Sequence, residues 1–566
     1  MILNPSKYQK AIFDFVKNGV GNAVINAKAG SAKTTTAEEA LRYIPLKKSV
    51  LFIAFNKTIA EKLQNDCGDL PNIKAMTYHS LGFSIVRENL GFPKLNEYKY
   101  KTYINSNISE LSEGFSDKLT NDAIKSYLFN ITRLTDLSRY NLAQNEKEVA
   151  ELCAKYGVEL LGNEIKVVLK VLEWGKKNFA VIDYTDMEWL PVELDFETRK
   201  HKYDWVIIDE AQDSSLVQQA LVKKCFKRGT RFMALGDAFQ SINGWCGGDN
   251  DAFDNFLKTK NTVQLDLPIS YRCSKKVIEL AQTIVPDIKP YEKAKEGSVT
   301  YNSGYYDVKN GDMVLCRNTV PLMKLYSEYI KRGIKCFVRG TDIGMKIQKY
   351  VDETKCSQLG SISSDEGVIP ALYSKLWKIF KKIKEENSIT NEEVIGSEQF
   401  SQLYDIIKTV EILSEGITTT QQLKDRLLVM FSDTVDDGVC LSTIHKAKGL
   451  EANNVYILCP SLMPSALAVT SEAIRAEEHL RYVAITRAKE NLYFISETYF
   501  SPHKGYADSL SALDDIKIIQ KKNDEEPQKH KQRDLFSTPE KEENPKEEKK
   551  AKNKVIGAMK FKNFMR

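Results

Sequence analysis

At 566 residues the chain is too long for one hydrophobic core and predicts about three or four units of 150 residues each. Hydrophobic residues make up 42% and charged ones 28%, no apolar run approaches the roughly 18 residues that cross a bilayer, and the start Met1-Ile2-Leu3-Asn4-Pro5-Ser6 lacks a basic-then-apolar leader, which argues against a membrane or secreted protein. The formal charge of +5 lies wholly in residues 521–566, where 14 Lys/Arg meet 9 Asp/Glu and leave 67 of each sign elsewhere, so a nucleic-acid partner would need a local basic track rather than a basic total.

The first β-rich run, Asn22 to Ala27, leads into Lys28-Ala29-Gly30-Ser31-Ala32-Lys33-Thr34-Thr35 and a helical stretch to about Tyr43. Strand, tight loop, Lys-Thr and helix are what a phosphate cradle needs: backbone amides and a helix N-terminus face the anion, Lys33 reaches the terminal phosphates and Thr34 ligates Mg²⁺. The strict glycine pattern is missed at Ala27 and Ala32. Alanine keeps the amide donor, so the cradle is expected to survive if that position has a negative φ.

Ser49 to Phe55 is a second β-rich run, after which residues 84–180 change to long mixed-charge helical stretches such as Asn121 to Leu134 and Glu146 to Ala154. The apolar run Tyr203 to Ile208 then ends in Asp209-Glu210-Ala211-Gln212-Asp213. Two carboxylates at the end of a buried strand suit an ATPase, with Asp209 holding Mg²⁺ through water and Glu210 orienting and deprotonating the attacking water. Strand-like runs follow at Phe232 to Leu235, Asp312 to Cys316, Ile334 to Val338, Gly438 to Ser442 and Val455 to Leu458, with a second helical stretch at about 346–436. This alternation predicts an α/β fold with parallel sheets between helices. Ten cysteines from Cys67 to Cys459 include no Cys-x-x-Cys pair, and the six histidines do not stand at metal-ligand spacing beside them, so they read as reduced thiols. Beyond about 515 the sequence is polar and charged, and disorder is expected.

Taken in order, these residues resemble the superfamily 1 DNA helicases of the UvrD/Rep type, with F-box DNA helicases and phage and viral members as nearer matches, over about residues 1–500. The resemblance implies two RecA-like P-loop lobes, 1–83 with 181–268 and 269–345 with 437–514, carrying helical insertions at 84–180 and 346–436 and followed by a charged tail, 515–566. Asn4-Pro5 and Gln9 resemble the adenine-reading element, with the Gln9 amide suited to the base's donor and acceptor edge. Ala54-Phe55-Asn56-Lys57 and Thr77-Tyr78-His79-Ser80 resemble the two motifs that grip single-stranded DNA, Phe55 stacking on a base, Asn56 beside it, and Thr77 and His79 contacting the backbone.

Leu235 to Trp245 matches the motif linking the γ-phosphate to DNA, with Gln240 as phosphate sensor and Trp245 as a stacking face. The family usually has Tyr where this chain has Asn243 and Arg where it has Cys246, so those two DNA contacts are not implied. Ser270-Tyr271-Arg272 resembles the family's Asn-Tyr-Arg, which places Tyr271 on adenine and Arg272 at the γ-phosphate. Ser442 to Glu451 resembles the motif facing both ligands, with Thr443 and His445 toward DNA and Gly449 and Glu451 toward nucleotide. Glu478 and Tyr482 to Ala488 resemble the last motif, in which Arg487 is an arginine finger.

The implied enzyme uses ATP and Mg²⁺ to move 3′ to 5′ on single-stranded DNA and to unwind forked duplex in replication, repair or recombination, in the cytoplasm of a bacterial or phage-infected cell. The short second insertion favours, as an alternative, a translocase that strips proteins or remodels joints with little unwinding. Ala27 and Ala32 motivate a third reading, a DNA-binding module without ATPase activity. In the tail, Gln532-Arg533-Asp534-Leu535-Phe536 resembles the peptide by which bacterial replication and repair proteins bind the sliding clamp, through Gln532, Leu535 and Phe536.

Overall fold

The computed structural model describes residues 4–242, 251–387, 391–396, 398–431, 437–465, 468, 471–498, 514–515 and 517–518. Its framework is a pair of six-stranded, wholly parallel sheets. The strands of the first are β1 (Asn22–Ala27), β2 (Val50–Ile53), β3 (Ile73–Met76), β4 (Tyr203–Ile208), β5 (Phe226–Gly236) and β6 (Thr262–Leu267), in the spatial order β3-β2-β4-β5-β1-β6. All four residues of β2 are buried, as expected of a parallel strand covered by helices on both faces. The period-2 alternation sends Ile25, Phe52 and Ile207 into one core and Val24, Leu51 and Val206 into the other. Register pairs Ile25 with Leu235 and Ile53 with Ile208, so the loops after β1, β4 and β5 emerge at the same end of the sheet. In an open α/β sheet that end is where ligands bind.

The second sheet contains β7 (Ser298–Ser303), β8 (Met313–Cys316), β9 (Cys336–Val338), β10 (Val439–Thr443), β11 (Ala452–Leu458) and β12 (Ala488–Ile495), ordered β7-β12-β11-β8-β10-β9. At one side the edge strand β7 and its inner neighbour β12 carry mixed polar sequences and have no counterpart among the β-rich runs expected from sequence.

Helices Lys99–Leu111, Asn121–Asn141, Glu146–Tyr156 and Glu164–Lys177 form the first insertion. Its centre holds a buried charge network: Arg139 donates to Asp183 at 2.8 Å and to Asp186 at 3.0 Å, while Lys99 and Tyr100 each donate to Asp186 at 2.6 Å. Charges so far from water are tolerated only when paired in this way. The network fixes the start of helix Tyr184–Glu193, whose first turn is closed by a capping box from Asp183.

Around the second insertion, helices Val368–Asn387, Glu398–Leu413 and Thr420–Met430 do not form a separate core. Leu372, Tyr373, Phe400, Leu403, Ile407 and Leu427 join Val314, Cys316, Leu441 and Leu458 in one continuous apolar cluster, so these helices cover a face of the second sheet. The two insertions touch where Lys382 Nζ donates to Ser126 Oγ at 2.8 Å. Asp515, at the start of the segment expected to be a charged tail, accepts from Tyr404 at 2.9 Å, Lys408 at 3.0 Å and Tyr373 at 3.1 Å. Among the described residues no helix is long and apolar enough to cross a membrane.

Candidate active site

The loop after β1 turns on two residues with left-handed backbone. Gly30 has φ 71°, its carbonyl accepts the Tyr271 N–H at 2.8 Å, and a Cβ there would lie 2.6 Å from Arg272 Cβ and 2.7 Å from Ser270 Oγ. Glycine is therefore required both by backbone and by space. Ala32, at the N-cap of helix Lys33–Leu41, has φ 57° and ψ 40°. The condition of a negative φ at this alanine is not met: the loop keeps the glycine-type path and the methyl is carried in the left-handed region, which costs an L-residue about 1–2 kcal/mol. Ala27, by contrast, ends β1 in register with Leu267. Ala32→Gly is expected to shift stability by less than about 1 kcal/mol, because relief of strain is offset by the greater unfolded-chain entropy of glycine. It should change kcat/KM for ATP less than about threefold, since the amides already stand on that path. A tenfold gain in steady-state ATPase would show instead that alanine impairs the loop.

Lys33 begins that helix and reaches across to the end of β4, where its Nζ lies 2.6 Å from Glu210 Oε1 and 3.3 Å from Asp209 Oδ1. Burial opposes the ammonium, yet the two carboxylates hold its pKa above that of an ordinary lysine. Thr34 Oγ1 donates to Asp209 Oδ2 at 3.3 Å. A hydroxyl beside a carboxylate is a hard-oxygen donor pair of the kind that Mg²⁺ accepts along with phosphate and water. Among the described residues no cluster of three or more His, Cys, Asp or Glu side chains is placed to hold a metal.

Glu210 has φ 51°, a strained backbone that aims its side chain at Lys33. Burial works against this carboxylate, but Lys33 and Lys448 hold its pKa down to about 2. Gln212 Nε2 donates to Glu210 Oε2 at 2.6 Å, and Gln212 Oε1 accepts the Asp237 N–H at 3.1 Å, tying the loop after β4 to the loop after β5. Gln240 follows, its Nε2 on Asp237 Oδ2 at 2.8 Å.

The second lobe closes the site from the opposite side. Arg487 is buried; its Nε donates to the Val483 carbonyl at 2.9 Å and its Nη2 stands 3.5 Å from Gln240 Oε1. Arg272 pairs with Glu451 at 2.5 Å, which in turn pairs with Lys489 at 2.7 Å. Gly449 has φ 87° in the turn before Glu451. Tyr271 is half-exposed, and its hydroxyl lies 3.5 Å from Gln9 Oε1. Gln9 also donates to Thr36 Oγ1 at 3.0 Å and, through Oε1, accepts the Ser6 N–H in the capping box of helix Lys7–Asn18. The amide expected to read adenine is therefore oriented by its own helix start.

Four residues outside the expected set complete the interface. Lys448 Nζ bonds Asp213 Oδ2 at 2.5 Å and the Gln240 carbonyl at 2.7 Å, and Tyr482 links Asp237 to the Ala29 amide. The sequence signal for each was its place inside a motif already recognised, without a side-chain role attached.

The described candidate DNA residues lie at or just past the ends of β2, β3 and β10. Phe55, just beyond β2, is 51% exposed. Asn56 and Thr77 both cap helices: Asn56 Oδ1 accepts the Ile59 N–H at 2.9 Å, and Thr77 forms a capping box with Ser80 on helix Tyr78–Leu90. His79 stays half-exposed with Nδ1 3.3 Å from buried Glu188, on the helix fixed by the charge network of the first insertion. Thr443 is buried at the end of β10. The pKa of His445 is pushed down to about 4 by burial and by Arg317. Trp245, Asn243 and Cys246 lie outside the described residues, as do Gln532, Leu535 and Phe536.

Residues 98–499 match the family model described as the UvrD-like helicase C-terminal domain. The chain is similar to the ATP-dependent DNA helicase PcrA of Staphylococcus aureus (strain MRSA252), at 24% identity over 85% of this chain and 82% of that protein. It is also similar to F-box DNA helicase protein 1 of Schizosaccharomyces pombe, at 25% identity over 86% of this chain and 56% of that protein.

Proposed function

Because the chain belongs to the UvrD-like helicase family and is an ATP-hydrolysing DNA helicase, we propose that it couples each ATP to a step along single-stranded DNA in the 3′ to 5′ direction, opening duplex ahead of it. The observation that supports this reading is the opposition of Lys33, Asp209, Glu210 and Gln240 on one lobe to Arg272, Lys448 and Arg487 on the other. ATP seated between them meets charge from both sides and favours the closed cleft. Lys33 and the amides of residues 29–35 bind the phosphates, and Arg272 and Arg487 meet the negative charge that spreads over the transferring phosphoryl group. Thr34 and Asp209 would hold Mg²⁺, which supplies charge neutralisation between the phosphates. Glu210 takes the proton of the attacking water, while Tyr271 and Gln9 receive the adenine ring and its edge.

Loss of the bridging phosphate lets the lobes part, and residues gripping DNA on each lobe convert that motion into travel. Phe55, Asn56, Thr77 and His79 serve one lobe in this reading, Thr443 and His445 the other. Phe55→Ala is expected to weaken binding to single-stranded DNA by about 5- to 150-fold, the worth of one stacked base, and to raise by the same factor the DNA concentration that half-saturates ATPase stimulation. Fluorescence anisotropy with a labelled oligonucleotide reads the first effect, and unchanged affinity removes Phe55 from the track.

The deciding experiment is unwinding of otherwise identical duplexes with a 3′ or a 5′ single-stranded tail. Opening confined to the 3′-tailed substrate supports the direction, and opening of the 5′-tailed one reverses it. The second insertion, engaged in covering its own sheet, favours the alternative of a translocase with little unwinding; ATP-driven displacement of a DNA-bound protein without duplex opening would establish it. Gln532, Leu535 and Phe536 are proposed as a sliding-clamp ligand. A peptide of residues 528–540 should bind the clamp saturably and lose binding with L535A and F536A together.

A further inference from the structure

One phenol oxygen joins three elements of the site. Tyr482, buried on helix Ser471–Ile485 of the second lobe, accepts the Ala29 N–H at 3.0 Å and donates to Asp237 Oδ2 at 3.2 Å. Ala29 lies one residue before Gly30, where the phosphate loop makes its left-handed turn, and Asp237 Oδ2 is the same atom that accepts from Gln240 Nε2 at 2.8 Å. Gln240 Oε1 in turn faces Arg487, five residues after Tyr482. The loop that holds the phosphates and the amide that faces them are thus oriented through a single hydroxyl supplied by the other lobe.

We propose that Tyr482 is a positioning residue for ATP hydrolysis, one that sets the phosphate loop and Gln240 together only when the second lobe is closed over the first. The inference rests on the helicase reading of this site. Asp237 is buried, so its carboxylate must be met by donors, and three meet it: the Phe239 N–H at 3.2 Å, Gln240 and Tyr482. Lys28 and Lys33 are the nearby cations, Lys28 being stacked 4.7 Å over the Phe239 ring and paired at 3.0 Å with Asp287 of the second lobe. Burial and Asp237 hold the Tyr482 phenol in its neutral form, so it remains a donor at any working pH. Should the lobes part, the hydroxyl leaves both partners at once: Gln240 keeps one tether to Asp237 but loses the group that fixes that carboxylate. A contact made only in the closed arrangement lowers the barrier to the chemical step without strengthening ground-state binding.

Tyr482→Phe keeps the ring against Phe239 and removes only the oxygen. With saturating single-stranded DNA, kcat for ATP is expected to fall about 10- to 100-fold, the worth of a hydrogen bond to a charged group, while KM for ATP and affinity for DNA stay within about threefold. In an Asp237→Asn background the same substitution should reduce kcat less than about threefold further, because its partner is already altered. A Tyr482→Phe kcat within twofold of the parent, a rise in KM with kcat unchanged, or full additivity with Asp237→Asn overturns the proposal. If Tyr482→Phe fails to fold by circular dichroism, Asp237→Asn alone carries the test, with the same kcat loss at constant KM expected and a normal kcat overturning it. Absence of DNA-stimulated turnover in the unaltered chain overturns the helicase reading and this inference together, whereas a working parent with an indifferent Tyr482→Phe overturns the inference alone.

Discussion

Glu210→Gln is expected to lower DNA-stimulated ATP turnover by about 10²- to 10⁴-fold while leaving nucleotide bound. The substitution preserves shape: Gln212 still has an oxygen to meet, and Asp209 still pairs with Lys33 at 3.3 Å. What is lost is basicity and one negative charge. Lys33 and Lys448 hold Glu210 ionised despite its burial, which leaves it a proton acceptor that an amide cannot replace. Removing an anion from the neighbourhood of bound phosphates should also tighten ATP binding rather than weaken it. Single-turnover hydrolysis on single-stranded DNA, with a fluorescent nucleotide reporting affinity, separates the two effects. Turnover within tenfold of the parent would sink the assignment of Glu210 as the base.

The other large effect concerns the second lobe. Arg487→Ala should reduce kcat by about 10³- to 10⁵-fold, the range of an arginine that meets charge on a transferring phosphoryl group. Burial and the neighbouring Arg272 lower its pKa to about 10, which leaves it charged at neutral pH. Its guanidinium is already oriented by the Val483 carbonyl at 2.9 Å and the Leu450 carbonyl at 3.2 Å. Alanine takes the donor from the Leu450 carbonyl, although Val483 keeps the Thr486 hydroxyl at 3.2 Å, at a cost of about 1–3 kcal/mol in stability, so Arg487→Lys is the informative companion. Lysine retains charge but not the planar fork, and is expected to recover less than about tenfold of the lost rate. If Arg487→Ala turns over within tenfold of the parent while Arg272→Ala does not, the finger is Arg272.

The parts of this site readable from sequence are those whose chemistry is contiguous. A strand running into Gly30-Ser31-Ala32-Lys33-Thr34, or into Asp209-Glu210, carries its geometry in a few adjacent residues, because the end of a parallel strand fixes where the next side chains point. Residues whose role depends on a distant partner were not readable. Tyr482 meets Ala29 across 453 positions, and Lys448 meets Asp213 across 235. Nor does composition report backbone sign: Ala32 carries no mark of its φ of 57°, which comes from the turn that aims the amides. Asn56 and Thr77 show the converse, since Asn and Thr ahead of a helical run already announce a cap, and capping is the role in which the fold places both side chains. Edge strand β7 and the start of its neighbour β12 carry no β-rich signal, because both are only partly buried there and tolerate polar residues.

The continuous apolar cluster beneath the second sheet has a mechanical consequence. Because the helices at 368–430 share that cluster with β8, β10 and β11, sheet and helices turn as one piece, and a tightly packed core transmits rotation rather than absorbing it. Helix Val368–Asn387 is then a lever arm of about 30 Å. Lys382 sits about 20 Å along it, so a 10° swing centred at the root of the helix sweeps that residue through an arc of about 3–4 Å. Its 2.8 Å contact with Ser126 of the other insertion would be strained by such an arc. If the nucleotide cleft opens as proposed, a rotation of that size would separate residues 126 and 382, and a pair of distance probes at those positions would register it.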